Sequence, residues 1–182
     1  MKRTNFYKEK KRRGKEAEEK FKISAKLCGF KVKKSSKEDD IKKHIDFYLE
    51  KQGKKFSVDV KSAKRIRASD KDVSFKYTYI EIRNVKGEKG WVLGEADYIA
   101  FELKNHFLLI KREEIIRYIK KLIKENKLKK ERKREENHLY SRGKDLMILV
   151  DINKVRKFAK GNIVFPKVEK CEKEMGNEEL EI

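Results

Sequence analysis

The chain has 182 residues, 45% of them charged, and its 51 Lys and Arg against 31 Asp and Glu give a formal charge of +20. That length suits a single core-forming domain, and self-repulsion at such a charge selects nucleic acid as the partner class ahead of an acidic membrane surface. Cys28 and Cys171 stand far apart and outside any Cys/His cluster, and no run approaches the ~18 apolar residues of a bilayer span, which disfavours a disulfide scaffold, a zinc site or a membrane anchor. The basic N-terminus has no apolar run behind it, so a reducing cytoplasm is the expected setting.

In chain order, residues 1–13 hold little that could be buried and are expected as a flexible basic arm. From Lys15 onward Ala17, Phe21, Ala25 and Cys28 recur at helical spacing and Gly29 supplies a stop, which predicts an amphipathic helix. Phe30 and Val32 predict a short strand, and KKSSKEDD, holding Asp40, a polar loop. Residues 44–50 and 55–61 alternate apolar with polar and predict two half-buried strands joined around Gly53. SAKRIRASDKD reads as a basic loop, VSFKYTYIEI as a third strand, and NVKGEKG as a turn. Trp91 is expected at the start of a strand, in the core or at its rim, unless it stacks on a base. ADYIAFEL and HFLLI predict two strands turning near Lys104 and Asn105. Residues 112–136 run from acidic to basic with an apolar stripe of Ile115, Ile116, Ile119 and Ile123, predicting a basic helix. DLMILV predicts a late strand and INKVRKFA a short helix, closing a single domain over 14–165 ahead of an acidic tail, 166–182, expected to be disordered.

A two-residue loop of Gln52 and Gly53 would pair Leu49 with Phe56, Phe47 with Val58 and Ile45 with Val60, so every apolar residue meets another. The same register sets Asp46 opposite Asp59, with Cβ atoms about 5 Å apart. Lys61 shares their face because side chains alternate with period two. Two facing carboxylates repel, and a hard divalent cation held by Asp46, Asp59 and the Val60 carbonyl would relieve that repulsion. Such an ion polarises a phosphodiester, with Lys61 orienting the attacking water or stabilising the pentacovalent charge. Beside this stands the plainer reading of a solvent-facing cross-strand ion pair, because acid-x-Lys also occurs at Glu18-Glu19-Lys20 and Glu131-Arg132-Lys133.

The conjunction of IDFYLE, VDVK and the preceding GKEAEEKFKISAKLCGFKV resembles the PD-(D/E)XK, or restriction-endonuclease-like, nuclease superfamily. The opening helix is similar to that of Holliday-junction resolvases, and YIEIRNVKGEKGWVLGEADYIAFEL to parts of phage and plasmid nucleases. Ile45 stands where the name-giving proline would be. The resemblance implies an α/β fold with a central mixed sheet flanked by helices, and a Mg²⁺-dependent endonuclease for which Mn²⁺ can substitute. It implies catalytic Asp46, Asp59 and Lys61, with Glu18, or alternatively Glu19, joining Asp46, Asp59 and Val60 at the metal. Lys64, Arg65 and Arg67, with Lys129, Lys130, Arg132 and Arg134, are the expected backbone grip on DNA, a sequence-independent contact that RNA would also satisfy. Glu81 has the parity to hold a metal-bound water, and His44 falls beside Lys61 where it could touch phosphate. Double-strand cleavage would call for a homodimer. The alternative is a non-catalytic nucleic-acid-binding module in which the acids only pair with lysines.

Overall fold

The computed structural model describes residues 3–67, 69–128, 135–141 and 143–167, with side chains from Lys8 onward. Ala17, Phe21 and Ala25 form the buried stripe that their spacing predicts, on helix α1, Arg3–Leu27. Most of the segment expected as a flexible arm is therefore helical, and the i,i+4 pairs Arg13–Glu9 and Arg12–Glu16 support it. Gly29, at φ 80°, ends the helix as the apolar spacing implies.

Strand β1, Lys31–Lys34, is followed by helix α2, Lys37–Lys43, where a loop was expected. Its cause is local: the Ser36 hydroxyl accepts from the Asp39 amide at 3.0 Å, three acids fill the first turn, and Lys42 and Lys43 fill the last. His44 caps that helix at φ 56° and so leaves the strand in which it was expected.

Strands β2, Phe47–Lys51, and β3, Lys54–Lys61, form the expected hairpin. Gln52 and Gly53 turn it at φ 50° and 75°, the handedness that matches strand twist, and Leu49 pairs with Phe56 and Phe47 with Val58. Strand β2 begins only at Phe47, however, and Ile45 packs in the core on the opposite side of the sheet from Val60, so that expected pair is not made.

Strand β4, Tyr77–Arg83, precedes a 3₁₀ turn at Trp91–Leu93, so Trp91 starts no strand. Then come β5, Tyr98–Glu102; β6, His106–Lys111; α3, Arg112–Lys124; β7, Leu139–Tyr140; β8, Leu146–Asp151; α4, Ile152–Phe158; and an unanticipated β9, Ile163–Pro166. The main sheet has six strands in the order β1-β2-β3-β5-β6-β9, mixed because β3 and β5 run parallel while its other neighbours are antiparallel. The strand expected third lies instead in a second sheet of order β4-β8-β7.

Helix α1 covers one face of the main sheet, burying Phe21 against Phe47, Phe107 and Phe165. Helices α3 and α4 and the small sheet cover the other, over Ile99, Phe101, Leu108 and Ile110. The protein is thus an α/β fold with a central mixed sheet flanked by helices, as expected. Helix α3 stops at Lys124 rather than continuing to residue 136, with Asn126 at φ 50° two residues on. Its buried stripe is Ile115, Tyr118, Ile119 and Leu122, and Ile123 is exposed.

Candidate active site

Because β2 and β3 take the register that their apolar pairs dictate, Asp46 sits just ahead of β2 across from Asp59, with its amide donating to the Val58 carbonyl at 2.8 Å. The Asp46 Oδ2 accepts from the Val60 amide at 2.7 Å. Lys61 Nζ lies 2.7 Å from Asp59 Oδ1 on one face of β3, and the Asp46 side chain is near enough to act on Asp59, so Asp59 joins the other two groups.

That face is not open to water. Asp46 and Asp59 are 7% and 3% exposed, because the second sheet and the 3₁₀ turn roof the strand ends where an exposed face was expected. Trp91 lies beneath the Lys61 ammonium, 5.3 Å from Nζ to the ring centre. Asp59 Oδ2 is buried with no hydrogen-bond partner. Burial raises the Asp59 pKa from 3.8 to about 7; the Lys61 charge opposes the rise, and Asp46 adds to it by its charge and by a hydrogen bond that the protonated Asp59 can make to it.

Glu18 is drawn toward the pair indirectly. Lys34, at the end of β1, binds Glu18 Oε2 at 2.6 Å and lies 3.6 Å from Asp46 Oδ1, with its ammonium 4.5 Å over the Phe47 ring. Burial works against that ammonium, but Glu18 and Asp46 outweigh it and hold the Lys34 pKa above its ordinary value. Glu19 pairs instead with Lys22, 3.3 Å away along the helix. Lys34 extends β1 into the stretch expected as a loop; alternation with Val32 gives its face, and only the pairing of β1 with β2 puts it opposite Phe47.

The remaining expected residues divide. Lys64 bridges to Ser74, whose amide donates to its carbonyl at 2.9 Å, and Arg65 lies 3.5 Å from Glu9. Arg67 is exposed. Glu81 lies in the small sheet, close enough for its charge to act on Lys64, and His44 contacts the Lys89 carbonyl at 3.2 Å. Lys129, Lys130, Arg132 and Arg134 lie outside the described residues, as does the tail from residue 168.

Among the described residues no group of three or more His, Cys, Asp and Glu side chains is gathered as a metal site. Two carboxylates with one orphaned buried oxygen nevertheless fit a hard cation such as Mg²⁺, which is commonly held by one or two carboxylates and otherwise by water and substrate phosphate. The arrangement supplies paired acids, a lysine on one of them, and low local dielectric.

No family model and no curated protein matches the sequence. Among solved structures the chain is similar to a bacterial homing endonuclease, at 18% identity over 59% of this chain and 72% of that one, with a TM-score of 0.43. So distant a likeness assigns neither a family nor an activity to this chain. Among the described residues no helix is long and apolar enough to cross a membrane.

Proposed function

We propose that the protein is a metal-dependent endonuclease of the PD-(D/E)XK type that hydrolyses DNA phosphodiester bonds. The observation that carries this is the buried pair Asp46 and Asp59, with Asp59 Oδ2 unsatisfied and Lys61 2.7 Å from its other oxygen. Two facing buried carboxyls repel unless they share a proton or a cation, and a divalent ion would relieve them at the pH where both are charged. Asp46, Asp59 and the Val60 carbonyl would hold Mg²⁺ or Mn²⁺, which polarises the scissile phosphate and lowers the pKa of a bound water. Lys61 orients the attacking water or stabilises negative charge at phosphorus. Lys34 keeps Asp46 aimed by holding its Oδ1 side and tethers Glu18 behind it. The positive charge around Lys64, Arg65 and Arg67 binds backbone phosphates irrespective of sequence.

The pairing of Lys34 with Asp46 and of Lys61 with Asp59 is also what a non-catalytic nucleic-acid binder would show. One assay separates the two: supercoiled plasmid incubated with Mg²⁺ or Mn²⁺, with and without EDTA, using wild type, Asp59→Ala and Lys61→Ala, with an RNA substrate in parallel. The expected outcome is metal-dependent nicking by wild type and a loss of about a hundredfold or more in each variant with binding retained. Binding by all three proteins without nicking would leave only the binder.

A further inference from the structure

A cavity of about 180 Å³ opens past the C-terminal end of β3, and the hydrolytic reading uses only the charge of Lys64 and Arg65 at its wall. Its apolar lining comes from Tyr79, Tyr140, Trp91 and Met147. Its charged lining comes from Lys10 and Arg13 of α1 and from Lys64 and Arg65 after β3, against Glu9 and Glu81. Glu9 is shared between Arg13 at 2.9 Å and Arg65 at 3.5 Å, so the net charge left around the cavity is positive.

Two physical facts narrow the occupant. A cavity of about 150 Å³ admits a benzene-sized ring, so this one has room for a single heterocycle and not for a base pair. The cavity also adjoins the candidate catalytic residues, since Trp91 lines it and carries the Lys61 ammonium 5.3 Å above its ring. Burial, and then the charges of Lys10 and Lys61, lower the Lys64 pKa to about 8. An ammonium crowded by its own sign gains from a bound anion.

We propose that this cavity takes one unpaired nucleotide of a nucleic-acid strand, its base against Tyr79, Tyr140 and Trp91 and its phosphate on Lys64. The inference rests on the proposed function only for the role of the neighbouring acids. Aromatic walls serve any base, because every base has a π-face, whereas a duplex would have to release one nucleotide to fill the site.

Trp91 is the chain's one tryptophan, so intrinsic fluorescence reports on this wall. The full chain in EDTA is titrated with a short oligothymidylate, the same strand carrying abasic residues, a fully paired duplex, and thymidine monophosphate. The expected result is a saturable change in Trp91 emission, with the base-bearing strand binding about tenfold or more tighter than the abasic one, and Lys64→Gln weakening it about tenfold. Equal affinity for base-bearing and abasic strands overturns the proposal. So does a Trp91 signal elicited as strongly by duplex, or by the mononucleotide at the strand's own affinity. Nicking is measured separately. Base-dependent binding without nicking removes the nuclease and keeps the pocket; nicking with base-independent binding does the reverse.

Discussion

Keeping Asp59 charged in the fold is expensive, because one of its oxygens is buried without a partner and the Asp46 carboxylate faces it. Its folded pKa of about 7 lies above the ordinary 3.8, so between those values the folded protein holds a proton that the unfolded chain has released. The stability this contributes is full below the lower value and is lost as pH rises through the upper one. In the metal-free protein Asp59→Asn should therefore flatten the pH dependence of Tm across this window. At pH 8 it should exceed wild type in stability by up to about 4 kcal/mol. Added Mg²⁺ should raise the wild-type Tm and leave the variant's unchanged, since only a ligand bound to the native state stabilises it. A variant with the same pH profile as wild type would show that Asp59 is not strained. Tm scans at pH 5 and 8, with and without metal, read all of this.

Among the elements, the β2–β3 hairpin and helix α2 position the acids, and each depends on one local device. Gly53 sits at φ 75° with open space where a Cβ would go, so Gly53→Ala strains the backbone without a clash and should cost about 1 kcal/mol. The Ser36 side chain satisfies the Asp39 amide, so Ser36→Ala should cost about 1 kcal/mol in urea unfolding. The two variants should differ in function. Ser36→Ala acts on a short helix ahead of Asp46, whereas Gly53→Ala loosens the register that sets Asp46 across from Asp59. Metal-dependent nicking should fall more in the second, and equal losses would show that the turn does not control the pairing. These elements also show what local pattern can convey. The hairpin was legible because alternation, turn residues and pairing all act within eighteen residues, 44–61. Helix α2 carries a serine cap and acids in its first turn, but it buries no residue, so it lacked the apolar periodicity by which helices are recognised. The end of α3 at Lys124 was obscured because no glycine or proline marks it and the basic run continues.

At the scale of the molecule, a charge of +20 makes electrostatics the main term in binding a polyanion. Nucleic-acid affinity should drop by about 10³- to 10⁵-fold between 50 and 200 mM salt if six to ten phosphates are engaged. Filter binding across salt measures the slope. A shallow slope would mean that most of the lysines face away from the ligand. Lys64→Gln should lower that slope by about one, the share of a single phosphate contact.

What the sequence determined by itself was the hairpin register and the face that Asp59 and Lys61 share, with Asp46 across from them; the α/β class came from the family resemblance. The register and the shared face follow from period-two alternation, which allows no slip of one residue without turning an apolar face outward. The tertiary structure alone decided that β3 takes β5 as its parallel neighbour, that β4 leaves to pair with β8, and that the acids end up roofed over. It also decided that Lys34 lies between Glu18 and Asp46, and that a cavity forms beside them. Each of these joins segments far apart in the chain, and the pattern within a strand records which face is buried but not which distant element buries it.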